Sequence, residues 1–198
     1  MAARGLGEQA GLFGMGFVAS ALPGHERYGG HLAIPYLRPA GGDAVATVRF
    51  RCINDRCVKR PDGTYFVQAG ESEQHEGHGK YQTLPGDVPR LYNTAALILP
   101  SPVLVVVEGE FDTQSWAAAD VPAVGAPGTG TWRDYWTPAL LGYESVFLIA
   151  EDGPGLAFMD QLASDLPHGK VIEMPGDRDS NSVFLSDGPE ALRKRIGL

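Results

Sequence analysis

Val103-Leu104-Val105-Val106-Val107-Glu108-Gly109-Glu110-Phe111-Asp112 is the stretch that decides how this chain reads. Five consecutive apolar residues, four of them β-branched, predict a central parallel strand covered on both faces. The strand stops at Glu108. Gly109 permits a tight turn, and Asp112 can cap a helix predicted over residues 113–119, although capping and metal contact can coexist. In open α/β sheets, ligands and chemistry gather at the carboxyl ends of the strands.

The pattern repeats downstream. Strands are predicted at 121–124, 145–149 and 170–174, with helices at about 133–141, 156–166 and 189–196, giving a small α/β unit with a mostly parallel sheet. The strand at 145–149 runs into Ala150-Glu151-Asp152. The strand at 170–174 runs into Pro175-Gly176-Asp177-Arg178-Asp179-Ser180-Asn181. If the strands are parallel, Glu108, Asp152 and Asp179 converge. Carboxylates packed together repel and call for Mg²⁺ or Mn²⁺, because hard oxygen ligands without histidine favour Mg²⁺ over zinc. Asp177 and Asp179 also fit a plain Gly-Asp turn, and Glu110 and Glu151 read as solvated or supporting groups.

The first hundred residues read as strands of an α+β unit. Residues 31–37 form an apolar run, with Gly41-Gly42-Asp43 as the following turn. Residues 44–52 alternate, with Ala46, Val48, Phe50 and Cys52 on one face and Thr47, Arg49 and Arg51 on a polar, outward face. Residues 53–79 look like an inserted loop or hairpin with a small strand at 64–67. This insert, with the end of the preceding strand, carries Cys52, Cys57, His75 and His78, ligand types suited to zinc at a spacing unlike a standard finger. Lys80-Tyr81 and Arg90-Leu91-Tyr92-Asn93 lead to a Pro-flanked junction at Pro100 and Pro102. Trp132, Tyr135 and Trp136 read as core, with base stacking by Trp132 as the alternative.

Composition narrows the classes. Residues 1–100 carry 10 basic and 9 acidic side chains; residues 101–198 carry 6 and 15. A near-neutral front with a basic segment and a strongly acidic rear does not suit a plain nucleic-acid binder. It suits a protein that holds phosphates with one half and divalent cations with the other; a merely soluble acidic surface is the alternative. Two cysteines make no disulfide framework, and no run is long enough to cross a bilayer, so a cytoplasmic location is expected.

Glu108-Gly-Glu-Phe-Asp112, Val124-Gly-Ala-Pro-Gly-Thr-Gly130, Asp152-Gly-Pro-Gly155 and the Pro175…Asp179-x-Asn181 ending together resemble the TOPRIM domain of bacterial-type primases, topoisomerases and some nucleases. His31-Leu-Ala-Ile-Pro-Tyr36, Arg49-Phe-Arg51, Lys80-Tyr81 and Arg90-Leu-Tyr-Asn93 are similar to the basic subdomain that precedes TOPRIM in the RNA-polymerase core of bacterial and phage primases. The resemblance spans roughly residues 20–190. It implies a basic subdomain at 1–100, with the insert at 53–79, and a TOPRIM domain at 101–198. It also implies Glu108 as metal ligand or proton handler, with Asp112, Asp152 and Asp179 as further metal ligands. Arg49, Arg51, Lys80, Arg90 and Asn93 would then contact template or nucleotide. One position departs from the pattern: Ala150 stands where the first aspartate of the family's Asp-x-Asp pair belongs.

The expectation is Mg²⁺-dependent synthesis of short RNA primers from ribonucleoside triphosphates on single-stranded DNA. A replicative helicase or a separate template-reading module would be a partner, and no membrane is involved. A TOPRIM nuclease using the same acids, or a non-catalytic binding module marked by Ala150, are the competing readings. A topoisomerase is not expected, for want of a domain carrying a nucleophilic tyrosine.

Overall fold

A computed structural model of the chain describes residues 1–39, 44–66, 73–176 and 178–198. The 41–43 turn, Val67 of the small predicted strand and Asp177 lie outside the described residues.

Two four-stranded sheets build the molecule. The first is antiparallel, in the order β1 (Gly16–Phe17), β2 (His31–Leu37), β3 (Val45–Cys52), β4 (Tyr81–Gln82). It is preceded by α1 (Gly7–Leu12). Between β3 and β4 the insert holds α2 (Asp55–Val58) and an antiparallel Lys59–Tyr65 bridge, a hairpin-type pairing in keeping with the expected loop or hairpin. Asn54 caps α2, its side chain accepting from the Arg56 amide at 3.0 Å.

The second sheet is parallel, as expected. It comprises β5 (Val103–Glu108), β6 (Ala123–Ala126), β7 (Ser145–Ala150) and β8 (Gly169–Glu173), in the order β6-β5-β7-β8. Its helices are α3 (Glu110–Ala118), α4 (Gly153–Ser164), α5 (Ser180–Asp187) and α6 (Pro189–Arg195). Alternate residues of the strands feed two cores. Leu104, Val106, Val146 and Leu148 pack with Met159 and Leu162 of α4. Val105, Val107, Phe147 and Ile149 pack with Trp116 of α3 and Leu192 of α6. From β5 the chain crosses to β6 on one side and then to β7 on the other. The order therefore reverses between β5 and β7, and the crevice beyond their carboxyl ends is the place such sheets offer a ligand.

Four local expectations are corrected. The helix after β5 starts at Glu110 and not at Thr113. Gly109, at φ +92°, supplies a conformation that side-chain-bearing residues rarely take, so it ends the strand and opens the helix at once. Asp112 therefore sits inside the first turn rather than at the cap. The segment Asp134–Leu140 is a 3₁₀ helix containing Pro138, which lacks the amide an α-helix would use. Helix α5, where no helix was expected, follows Asp179 directly, in place of the Gly-Asp turn that was the alternative for this residue. Asp179 is its cap, accepting from the Ser182 amide at 2.6 Å. Trp136 is buried and packs edge-on to Trp132 at 5.3 Å, but Tyr135 is exposed and not core.

The halves are joined by a shared apolar cluster of Leu6, Ile34, Tyr36, Tyr92 and Phe111. A backbone bridge reinforces it, the Tyr92 amide donating to the Gly125 carbonyl at 2.8 Å.

Candidate active site at the carboxyl edge of the parallel sheet

Glu108 ends β5, and Asp152 lies two residues beyond β7, as the N-cap of α4. Both carboxylates crowd Gly155. A Cβ at that position would lie 2.5 Å from Glu108 Oε1 and 3.0 Å from Asp152 Oδ1, so a larger residue there would have to displace the two carboxylates. Asp152 Oδ1 accepts from the Gly155 amide at 2.6 Å. Glu108 Oε1 is buried without a hydrogen-bond partner among the described residues. Burial and the Asp152 charge push the Glu108 carboxyl up to about 7. An orphaned carboxylate oxygen beside a second carboxylate is the donor set a hard divalent cation takes.

Asp112, Glu151 and Asp179 form a second acidic group, received by the N-terminus of α5. The amides of three consecutive residues each serve one acid: Ser180 donates to Glu151 Oε1 at 3.0 Å, Asn181 to Asp112 Oδ1 at 3.0 Å, and Ser182 to Asp179 Oδ1 at 2.6 Å. These unpaired helix amides favour anions. Burial nonetheless prevails for two of the acids. Together with Asp179 it pushes Asp112 up to about 7, and together with Asp112 it raises Glu151 well above the carboxylate range. Glu151, read as solvated or supporting, is thus a buried member of this group. It does not take the place of the missing aspartate. Ala150 points into the core on the α4 face and Glu151 to the opposite face, following the alternation of β7.

The basic residues stand differently from expectation. The Thr47-Arg49-Arg51 face of β3 turns inward, against α3 and the insert, because distant acids receive it. Arg49 donates to Glu110 Oε1 at 2.7 Å, and Tyr36 Oη donates to the same oxygen at 2.8 Å. Glu110, read as solvated or supporting, is 1% exposed. Arg51 pairs with Glu73 and lies over the rings of Tyr81 and Phe111. Lys80 is solvent-exposed; packing around its ammonium and the Arg51 charge lower its pKa, against the opposing pull of Glu73 and Asp179. Arg90 pairs weakly with Asp87 at 3.5 Å, and with Arg49 and Thr131 it lines a pocket of about 150 Å³. Arg51 lines a separate pocket of about 350 Å³ with Arg4, Glu73 and Phe111. Asn93 adopts a left-handed conformation, and its amide donates to the Ala123 carbonyl at 2.9 Å.

Three residues were missed. Arg4 lies over the Phe111 ring at 4.4 Å and donates to Asn181 Oδ1 at 3.2 Å, within electrostatic reach of Asp112. Ser180 and Asn181 are buried and tie α5 to Trp116 and Ser115 of α3. The signal for the pair was the Asp179-Ser-Asn-Ser182 string, an N-cap followed by small polar residues. Arg4 had no sequence signal. The zinc-type candidates Cys52, Cys57, His75 and His78 do meet, their ligand atoms all within 4.8 Å of one another.

The raised carboxyls set a pH dependence. Between about pH 4.5 and pH 7 the folded chain keeps protons at Glu108, Asp112 and Glu151 that the unfolded chain has released, so stability falls as pH rises. In EDTA, the melting temperature is expected to drop from about pH 5 to pH 8, and added Mg²⁺ should raise it more at pH 8 than at pH 5. A Mg²⁺ effect equal at both ends would contradict the assignment.

No family model matches the chain. It is 37% identical over 172 residues to the Gene 57 protein of Mycobacterium phage D29, covering 85% of this chain and 99% of that protein. Among solved structures it is similar to the RNA polymerase domain of Mycobacterium tuberculosis primase DnaG, with a TM-score of 0.70 and 19% identity, covering 98% of this chain and 74% of that one. A DNA primase domain from Pseudomonas aeruginosa gives 0.71 and 18%, with 99% and 69% covered. The Escherichia coli primase catalytic core gives 0.66 and 16%, with 98% and 70% covered. The fold is therefore that of a bacterial primase catalytic core, an N-terminal subdomain preceding a TOPRIM-type sheet. No helix among the described residues is long and apolar enough to cross a membrane.

Proposed function

Because this chain belongs to the same family as the Gene 57 protein of Mycobacterium phage D29 and carries the primase catalytic-core fold, we propose that it is the catalytic core of a DNA primase. It would join ribonucleoside triphosphates into short RNA primers on single-stranded DNA. The observation that carries this reading is the Glu108–Asp152 pair at the β5/β7 crevice, with its orphaned carboxylate oxygen.

Glu108 and Asp152, with Asp112 and Asp179 alongside, would hold Mg²⁺ or Mn²⁺. When bound, such an ion supplies Lewis-acid activation of the primer 3′-hydroxyl and neutralises triphosphate charge. Before an ion arrives, Glu108, its carboxyl near 7, is partly protonated close to neutral pH, so ion binding there would release a proton. Arg4 lies within electrostatic reach of Asp112 and Lys80 within reach of Asp179, and both would take phosphate oxygens. Arg51 offers Nη1, which has no hydrogen-bond partner among the described residues. Arg49 and Arg90, lining the smaller pocket, would contact template or nucleotide. With so few cations, template binding should be weak and its salt dependence shallow, because the slope scales with the number of phosphates neutralised. A replicative helicase or a separate template-reading module would direct the site of priming. Two primase domains with this fold are bound to DNA, one to single-stranded DNA and one to a duplex with an overhang.

The test is incubation with single-stranded DNA, labelled ribonucleotides and Mg²⁺ or Mn²⁺. Short RNA products over an intact template are expected. Shortening of the template would favour a nuclease, and neither product would favour a binding module, the reading to which Ala150 belongs.

A further inference from the structure

Outside the acidic edge, four side chains converge beside β3. Cys52 ends β3, Cys57 lies in α2, and His75 and His78 lie in the segment leading to β4. Both thiols are buried, while His78 reaches solvent.

The hydrogen bonds of the two rings fix where their lone pairs point. His78 Nδ1 lies 3.0 Å from the Glu76 carbonyl oxygen, which only accepts, so Nδ1 carries the proton and Nε2 the lone pair. His75 Nε2 lies 2.9 Å from Glu73 Oε2, so it donates there and leaves its lone pair on Nδ1. Those two lone-pair nitrogens face each other at 3.4 Å. Neutral imidazoles cannot hydrogen-bond in that arrangement, and a cation between them resolves it. His78 Nε2 is also 3.3 Å from Cys52 Sγ and 3.7 Å from Cys57 Sγ.

These separations match the edges of a coordination tetrahedron. Zinc bonds of about 2.3 Å to sulfur and about 2.0–2.1 Å to nitrogen give edges of about 3.3 Å between nitrogens and about 3.5 Å between nitrogen and sulfur. Two thiolates would balance the charge of the ion. The surroundings fit as well: each histidine directs its other ring nitrogen to a carboxylate or a carbonyl, the usual outer support of a metal-bound imidazole.

We propose that Cys52, Cys57, His75 and His78 bind one zinc ion in a structural site closed by four protein ligands. Its position gives it a role. Glu73 bridges the site to the cleft, with Oε2 on His75 and Oε1 on Arg51. Cys52 is the neighbour of Arg51 in β3, and Lys80 follows two residues after His78. The ion thus pins the insert to β3 and positions Arg51 and Lys80 together.

The test uses the full chain and Co²⁺ as the probe, and its outcome is independent of whether primers are made. The expected result is one equivalent of Co²⁺ per chain, showing the intense visible bands of a tetrahedral site, thiolate-to-metal charge transfer and displacement by Zn²⁺. Cys57→Ser and His78→Ala should lose the spectrum. Glu73→Gln, which keeps all four ligands, should retain the spectrum and weaken zinc affinity about 10–100-fold. Circular dichroism of each variant separates loss of a ligand from loss of fold. A folded wild-type chain that binds no more Co²⁺ than Cys57→Ser, or that gives only weak bands without charge transfer, would overturn the proposal. In that case a protonated His75, donating to His78, would account for the ring pair.

Discussion

Replacing Glu108 with glutamine is expected to lower primer synthesis by about 10²–10³-fold while making the metal-free protein more stable. The two effects share one cause. Glu108 Oε1 is buried, lacks a partner among the described residues and faces Asp152, so its negative charge is costly until a cation arrives. Glutamine keeps the shape and removes the charge. In EDTA at about pH 8 the melting temperature should rise by about 2–4 °C, equivalent to about 1 kcal/mol in a chain of this size once solvent access to a half-buried group is allowed for. The same variant should lose most of the stabilisation that Mg²⁺ gives the wild type. Calorimetric melting with and without Mg²⁺, beside a primer assay, checks both parts. A variant that is inactive and destabilised in EDTA would show Glu108 to be a structural group.

Glu110→Ala is expected to cost about 3–5 kcal/mol of folding stability. Glu110 is buried, and its Oε1 receives both Arg49 at 2.7 Å and Tyr36 Oη at 2.8 Å. Removing the acid leaves a guanidinium in a site where burial already works against its charge. The pair also joins β3 to α3, and therefore the front sheet to the half that carries the acids. Urea unfolding should show a lower midpoint for Glu110→Ala, and substantial recovery in Arg49→Met combined with Glu110→Leu, which removes both charges together. A loss below about 1 kcal/mol would mean that the pair is solvated in solution.

What the sequence revealed depended on how local each signal was. Strands β2, β5, β7 and β8 and helix α6 were legible as apolar runs or as a Pro-started helix, each decided within its own window. The parallel sheet and the meeting of Glu108 with Asp152 followed from strand ends alone. The inward turn of Arg49 and Arg51 was not legible. Alternation assigns polar residues to solvent, and the partners that reverse this, Glu110 and Glu73, lie 61 and 22 positions away. The role of Glu151 was hidden for the same reason, since its partners on α5 belong to a helix with no clear apolar stripe. Asp112 was read as a cap because aspartate is a good one; Gly109 displaced it through a backbone conformation that no propensity scale records. The Cys/His group was legible from residue type, but only the fold brings its four ligand atoms together.

The account rests on the acids at the β5/β7 edge holding a divalent cation. Anomalous scattering from crystals soaked in Mn²⁺ tests this most directly. The prediction is a peak bounded by Glu108 and Asp152, absent in Glu108→Gln. Saturating Mn²⁺ that leaves both carboxylates without a peak, or that collects only on exposed acids elsewhere, would contradict it.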